Sequence, residues 1–149
     1  MTSGTDRSTI SLTCTLRIKT SRRTELKDVT AEIKAFVRES GCTDGVCHLF
    51  VPHTTAGVLI NEGEDPAVAR DIEAALDRLV PRTAGYKHAE GNSDSHIKTA
   101  LIGSSETVVI EKGHLVFGRW QSVFFAEFDG PRSRELRVKI VPDSPAGTR

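Results

Sequence analysis

Between residues 10 and 18 every second residue is apolar: Ile10, Leu12, Cys14, Leu16 and Ile18 fall on one side, Ser11, Thr13, Thr15 and Arg17 on the other. Only a strand with one buried face and one wet face has that period. A second alternation, Leu136, Val138 and Ile140 within residues 134–141, asks for the same geometry near the other end of the chain. Whatever lies between must supply the rest of the sheet and the layer that covers it.

Two segments have helical spacing. Leu26, Val29, Ile33, Phe36 and Val37 recur at that interval, with Thr24 as the expected N-cap and Gly41 as the stop. Asp65 before Pro66 opens a second helix over 65–80, with Val68, Ile72, Leu76 and Leu79 turned inward. A shorter helix is expected from Ser93 or Asp94 to Leu101, ending at Gly103, with Ile97, Ala100 and Leu101 on its inner side. Residues 45–51 are apolar on both faces and read as a central strand stopped by Pro52; residues 58–60 form a short buried strand. From Thr107 onward the pattern is a meander: strands over 107–111, 115–117, 120–128 and 134–141, with turns at Lys112-Gly113 and Asp129-Gly130-Pro131. Helices interleaved with antiparallel strands make an α+β domain spanning 10–141. Residues 1–9 and 142–149 are polar and expected to be disordered.

At 149 residues the chain suits one domain, able to bury a core without disulfides or metal. Lys plus Arg and Asp plus Glu number 20 each, so no global field draws the protein to nucleic acid or to an anionic membrane. With no spanning-length apolar run and no leader-like N-terminus, a soluble cytoplasmic protein is expected. Cys14, Cys42 and Cys47 lack CxxC spacing and read as reduced thiols, two of them in apolar segments.

The chemistry concentrates at element ends. His53, His88 and His96 all fall in loops or first turns beside acidic or amide residues, suiting either metal binding or acid–base work. Glu62, Asp65, Asp94, Glu127 and Asp129 occupy similar positions; Asp65 and Asp129 also have plain structural readings as a cap and a turn residue. Glu127 interrupts the apolar run 123–128, where an unpaired charge is costly, so it needs a partner in Arg132 or Arg134. Those arginines, with Thr54, Thr55 and the two helix starts, are donors suited to phosphate. Trp120 followed by Gln121 suits either a core position or a stacking contact with a planar ring.

Three blocks, HTTAGVLINEGEDP (53–66), YKHAEGNSDSHIK (86–98) and GHLVFGRWQSVFFAEFDGPRSR (113–134), resemble the YjbQ family, named as secondary thiamine-phosphate synthase enzymes. The likeness runs from Val46 to Val141 and departs at Phe117-Gly118-Arg119-Trp120, where the family has Leu-Gly-Thr-Trp. It implies a bent antiparallel sheet, half-barrel or sandwich-like, flanked by helices in a homotrimer. It also implies a polar pocket built from His53, Thr54, Asn61, Glu62, His88, Asn92, Asp94, His96, Trp120, Gln121, Glu127, Arg132 and Arg134. The implied reaction joins a pyrimidine-methyl pyrophosphate to a thiazole phosphate and releases pyrophosphate, the word "secondary" marking a side activity. A divalent cation, zinc or magnesium, is expected on His53, His88 and His96. The rival expectations are a non-catalytic trimer that holds a phosphorylated metabolite and a metal-dependent phosphohydrolase.

Overall fold

The alternating segment near the N-terminus becomes the first strand of the computed structural model, which describes residues 11–144. Ile10 and the two expected disordered ends, apart from Pro142, Asp143 and Ser144, lie outside the described residues. The elements in chain order are β1 (Thr13–Lys19), β2 (Glu25–Asp28), α1 (Thr30–Ser40), β3 (Gly45–Phe50), β4 (Ala56–Glu62) and α2 (Pro66–Leu79). They are followed by α3 (Ser93–Ile102), β5 (Ser105–Glu111), β6 (His114–Leu115), β7 (Gln121–Glu127) and β8 (Ser133–Pro142). Every strand pairing is antiparallel: one sheet has the order β1-β8-β3-β5-β6, the other β2-β7-β4. The protein is a single α+β domain, and no helix among the described residues is long and apolar enough to cross a membrane.

β7 explains the layering. Its Val123 and Phe125 point into the core shared with the larger sheet, where Ile18, Leu49, Val138 and, from α1, Ile33 and Val37 meet them. Its Phe124 and Ala126 point the other way, onto Leu26, Leu76, Ile72 and Ile102. A strand buried on both faces is therefore the filling of a sandwich: larger sheet and α1 on one side, α2 and α3 on the other. The run Val123 to Phe128 is continuously apolar except for Glu127 because both faces are dry.

Four expectations give way. The helix expected from Thr24 starts at Thr30, because Glu25 to Asp28 pair with β7 instead; its N-cap residue is Val29, and Asp28 Oδ1 accepts the Thr30 N–H at 2.9 Å. β3 is central but not dry on both faces: His48 is exposed and Phe50 half-exposed, while Cys47 and Leu49 are buried. Leu79, at the last turn of α2, is 70% exposed, and Val80 takes the inward position. Most telling, α3 is turned the opposite way from expectation. Ile97 and Leu101 face out, and the buried residues are Ser93, Asp94, Ser95, Lys98 and Thr99. Periodicity assigns the apolar side inward, but here that inner side is polar and held by ion pairs, with Ile102 at the end of the helix packed on the core.

The N-cap at Asp65, accepting the Ala67 N–H at 2.8 Å before Pro66, forms as expected. All three cysteines are free thiols, and burial pushes the Cys47 thiol up to about 12, which makes it inert at neutral pH.

The β4–α3–β5 junction depends on a residue without a side chain. The Val58 N–H donates to the Gly103 carbonyl at 3.2 Å, and a Cβ on Gly57 would strike that same carbonyl oxygen and come within 3.3 Å of the Ile102 side chain. Gly57→Ala is therefore expected to lower stability by about 1–3 kcal/mol, seen as a lower urea midpoint with an unchanged denaturant slope.

Candidate functional site

After β3 ends at Phe50, the chain crosses from the larger sheet to the smaller one, and Val51 is pinned by its N–H to the Ser104 carbonyl at 2.8 Å. The crossing, the start of α3 and the β7–β8 turn surround an open cavity of about 630 Å³. Of the residues singled out from sequence, His53, Thr54, Thr55, Asn92, His96, Arg132 and Arg134 line it. Asp129, also marked in the sequence, lines it too, as do Glu90 and Ser104, which were not. Ser104 had no sequence signal: it is an ordinary residue between a helix and a strand, brought in by the fold.

Beneath the cavity lies a buried ion pair. Glu127 has no exposed surface, and Arg134 is 5% exposed. Arg134 Nε donates to Glu127 Oε2 at 2.8 Å and Nη2 donates to Oε1; the carboxylate also accepts from Thr20 Oγ1 and the Asp129 N–H, both at 2.9 Å. Nη2 further donates to Thr55 Oγ1 at 2.8 Å. Arg134 is thus the partner the carboxylate required. Burial alone would raise the Glu127 pKa, but the hydrogen bonds from Arg134 and Asp129 outweigh it and hold the carboxyl below its ordinary value. With its oxygens engaged four times, Glu127 orients the arginine rather than offering a base. The Arg134 Nη1 group is different: it hydrogen-bonds nothing among the described residues.

Arg132 donates through Nε to the Asp129 carbonyl at 2.8 Å and through Nη2 to Asp129 Oδ2 at 3.0 Å, where Asn92 Nδ2 also donates at 3.0 Å. Each arginine is balanced by a carboxylate. The cavity therefore offers directed N–H edges rather than net positive charge.

The histidines are arranged in two ways. His88 and His96 stand edge to face with ring centroids 5.4 Å apart, and His88 Nε2 lies 3.6 Å from Glu90. His53 is separate: its Nε2 accepts the Glu135 backbone N–H at 2.9 Å. Among the described residues no three His, Cys, Asp or Glu side chains converge as a metal ion requires. His53, with its Nε2 lone pair already taken, does not fit a three-histidine centre with His88 and His96.

Two groups of expected site residues lie elsewhere. Asp94, fully buried, is held by Arg23 through bonds of 2.9 and 3.1 Å and has Lys98 at 3.5 Å; Lys98 also reaches Asp77. Burial would raise the Asp94 pKa, yet the Arg23 hydrogen bond and the nearby cations bring it below the ordinary range. Neither Arg23 nor Lys98 stood out in the sequence. Asn61, Glu62, Trp120 and Gln121 are at the far end of the β4–β7 pair, where Glu62 lies opposite Gln121. The seven residues of β4 put that end about 20 Å from the cavity end. There Glu62 borders a second depression with Asp65, Arg70 and Glu73, and Trp120 is 50% exposed under Arg119, whose guanidinium carbon sits 4.7 Å from the ring centroid. The core reading of Trp120 is thus overturned: β7 begins at Gln121, after the ring has already turned outward.

The family described as "UPF0047 protein YjbQ-like" matches residues 14–143. A UPF0047 protein of Methanocaldococcus jannaschii is 50% identical over 127 residues, 85% of this chain and 92% of that one. The UPF0047 protein YugU of Bacillus subtilis is 43% identical over 128 residues, 85% and 97% of the two chains. Among solved structures, an uncharacterised YjbQ/UPF0047 protein of Clostridium acetobutylicum superposes with a TM-score of 0.84 at 49% identity, covering 86% of this chain and 99% of that one. A protein of unknown function from Sulfolobus solfataricus gives 0.85 at 30% identity, covering 88% and 96%.

Removing the charge beneath the cavity tests the ion pair directly. Glu127→Gln leaves Arg134 buried without its counter-ion and is expected to cost about 3–5 kcal/mol in chemical unfolding. Because the folded carboxyl sits below the 4.5 of the free group, its contribution is complete above that pH and disappears as pH falls through the lower folded value. Wild-type stability should therefore decline with acidification below pH 4.5, and the variant should show a shallower decline by one carboxylate.

Proposed function

The chain belongs to the YjbQ-like UPF0047 family, and from that premise we propose that its cavity binds the phosphate groups of a small metabolite. The reaction we assign is of the thiamine-phosphate-synthase type: a pyrimidine-methyl pyrophosphate is joined to a thiazole phosphate, and pyrophosphate departs. The observation that carries the reading is Arg134, a buried guanidinium aimed by Glu127 and Thr55 with its Nη1 group unclaimed. A donor fixed in advance needs no reorganisation when charge accumulates on a departing group, which is where such donors contribute most. Arg132, Thr54 and His96 surround the same space.

A homotrimer completes this reading. Trp120 and Gln121 lie on an exposed edge remote from the cavity of their own chain, and a neighbouring copy laying that edge over the cavity brings a stacking face to the pyrimidine. One observation favours a second reading, a phosphometabolite-binding protein without turnover: Glu127 and Asp94, two of the three carboxylates of the expected pocket, are both consumed by ion pairs.

Calorimetric titration with pyrophosphate, run beside an assay for thiamine-phosphate formation, separates these readings. Wild type is expected to bind and turn over. Arg132→Ala, which removes a half-exposed donor without touching the buried pair, should weaken pyrophosphate binding about tenfold, on the order of 1.4 kcal/mol. Binding without product above a blank moves the conclusion to the second reading, and no binding at all ends both.

A further inference from the structure

The bond between His53 and Glu135 has a structural origin. In the β3–β8 ladder Phe50 pairs with Arg137, and continuing the register by two residues would set Glu135 opposite Pro52. β3 has already ended at Phe50, so the ladder that would have given the Glu135 N–H a backbone acceptor stops short of it. A buried or half-buried N–H left without an acceptor is costly. The imidazole of His53 takes the place of the missing strand: Glu135 N–H donates to its Nε2 at 2.9 Å.

That bond fixes the chemistry of the ring. A nitrogen that accepts an N–H has its lone pair in the ring plane and carries no proton, so the single imidazole proton resides on Nδ1. Protonating Nε2 would set two donors against each other. The surroundings act in the same direction: burial, and then the nearby Arg134, lower the His53 pKa, against the opposing pull of Glu127 and Glu135, with Arg132 adding to the lowering. Nδ1 hydrogen-bonds nothing among the described residues, and His53 lines the same cavity as Arg134.

We propose that His53 is locked as the neutral Nδ1–H tautomer by the Glu135 backbone and serves as an uncharged hydrogen-bond donor to an oxyanion in the cavity, not as a metal ligand or general base. The inference rests on the phosphate-binding reading for the identity of its ligand, but the tautomer itself does not. A ligand recognised this way presents an acceptor oxygen to His53 at every pH where the ring is neutral. The contribution of this residue therefore does not fade as pH rises through the ordinary histidine range, as that of an imidazolium would.

Nitrogen-15 histidine NMR of the wild-type protein reads the tautomer from its pattern of nitrogen-to-carbon-bound-proton correlations. The expected pattern at pH 7 has the proton on Nδ1, and pyrophosphate at saturating concentration should shift that Nδ1–H resonance. An Nε2–H or imidazolium pattern in the free protein overturns the proposal, whatever the ligand. So does a stoichiometric response of the His53 resonances to zinc that displaces the Glu135 bond. Substitution adds an independent readout. His53→Asn keeps an N–H donor near the place of Nδ1 and should retain pyrophosphate affinity within about threefold, whereas His53→Leu should lose about tenfold; equal losses in the two variants would count against the donor role. If wild type binds no pyrophosphate, the phosphate reading and the ligand role of His53 both fail, and the NMR pattern alone decides the lock.

Discussion

The pairing of Glu127 with Arg134 holds together four parts of the chain that are distant in sequence. The carboxylate closes β7 and the guanidinium opens β8, while Thr20 follows β1 and Thr55 lies on the crossing from β3 to β4. Both sheets and the crossing between them meet at one desolvated point. Two buried charges are tolerable there only because nearly every lone pair and proton has a partner. Nη1 of Arg134 has none among the described residues, and Arg134 lines the cavity. Structural order and ligand recognition thus draw on the same guanidinium.

Much of the fold is legible in residue order because period and punctuation agree. Ile18, Leu136, Val138 and Ile140 alternate and are buried as alternation demands, and Asp65-Pro66 starts a helix where a cap and a fixed φ coincide. Legibility fails where tertiary pairing competes with local pattern. Leu26 has helical spacing to Val29 and Ile33, yet an edge of β7 was available for pairing, so Leu26 became a strand residue. In α3 the failure is deeper. Lys98 and Asp94 look like a solvated face, and only the arrival of Arg23 and Asp77 from other elements makes that face the buried one. No local period encodes a partner that comes from seventy residues away.

The site divides on similar lines. His53, Thr54, Asn92, His96, Arg132 and Arg134 converge because each stands at the end of an element, and the ends of antiparallel strands cluster. The block from His53 to Pro66 looks like one site because its residues are neighbours in sequence. A strand in the middle of such a block carries its two ends apart, and Glu62 leaves with the far end. The role of the Glu135 backbone was beyond reach of any residue pattern, since it is a peptide N–H left unpaired where a neighbouring strand stops short of it.

The place of β8 in the larger sheet bears on how the protein is made. It lies between β1 and β3, and β1 pairs with no other strand among the described residues: Cys14 faces Val138 and Leu16 faces Leu136 across almost the whole length of the chain. During synthesis β1 emerges well before β8 and waits, its apolar face uncovered, while all the elements between them are made. Assembly is therefore governed by the slow closure of very long loops, and the nascent chain is exposed to wrong pairing for most of its synthesis. The short, charged β2 and the two-residue β6 leave little edge for another chain to join on their sides of the sheets, whereas β1 and β4, seven residues each, form the opposite edges.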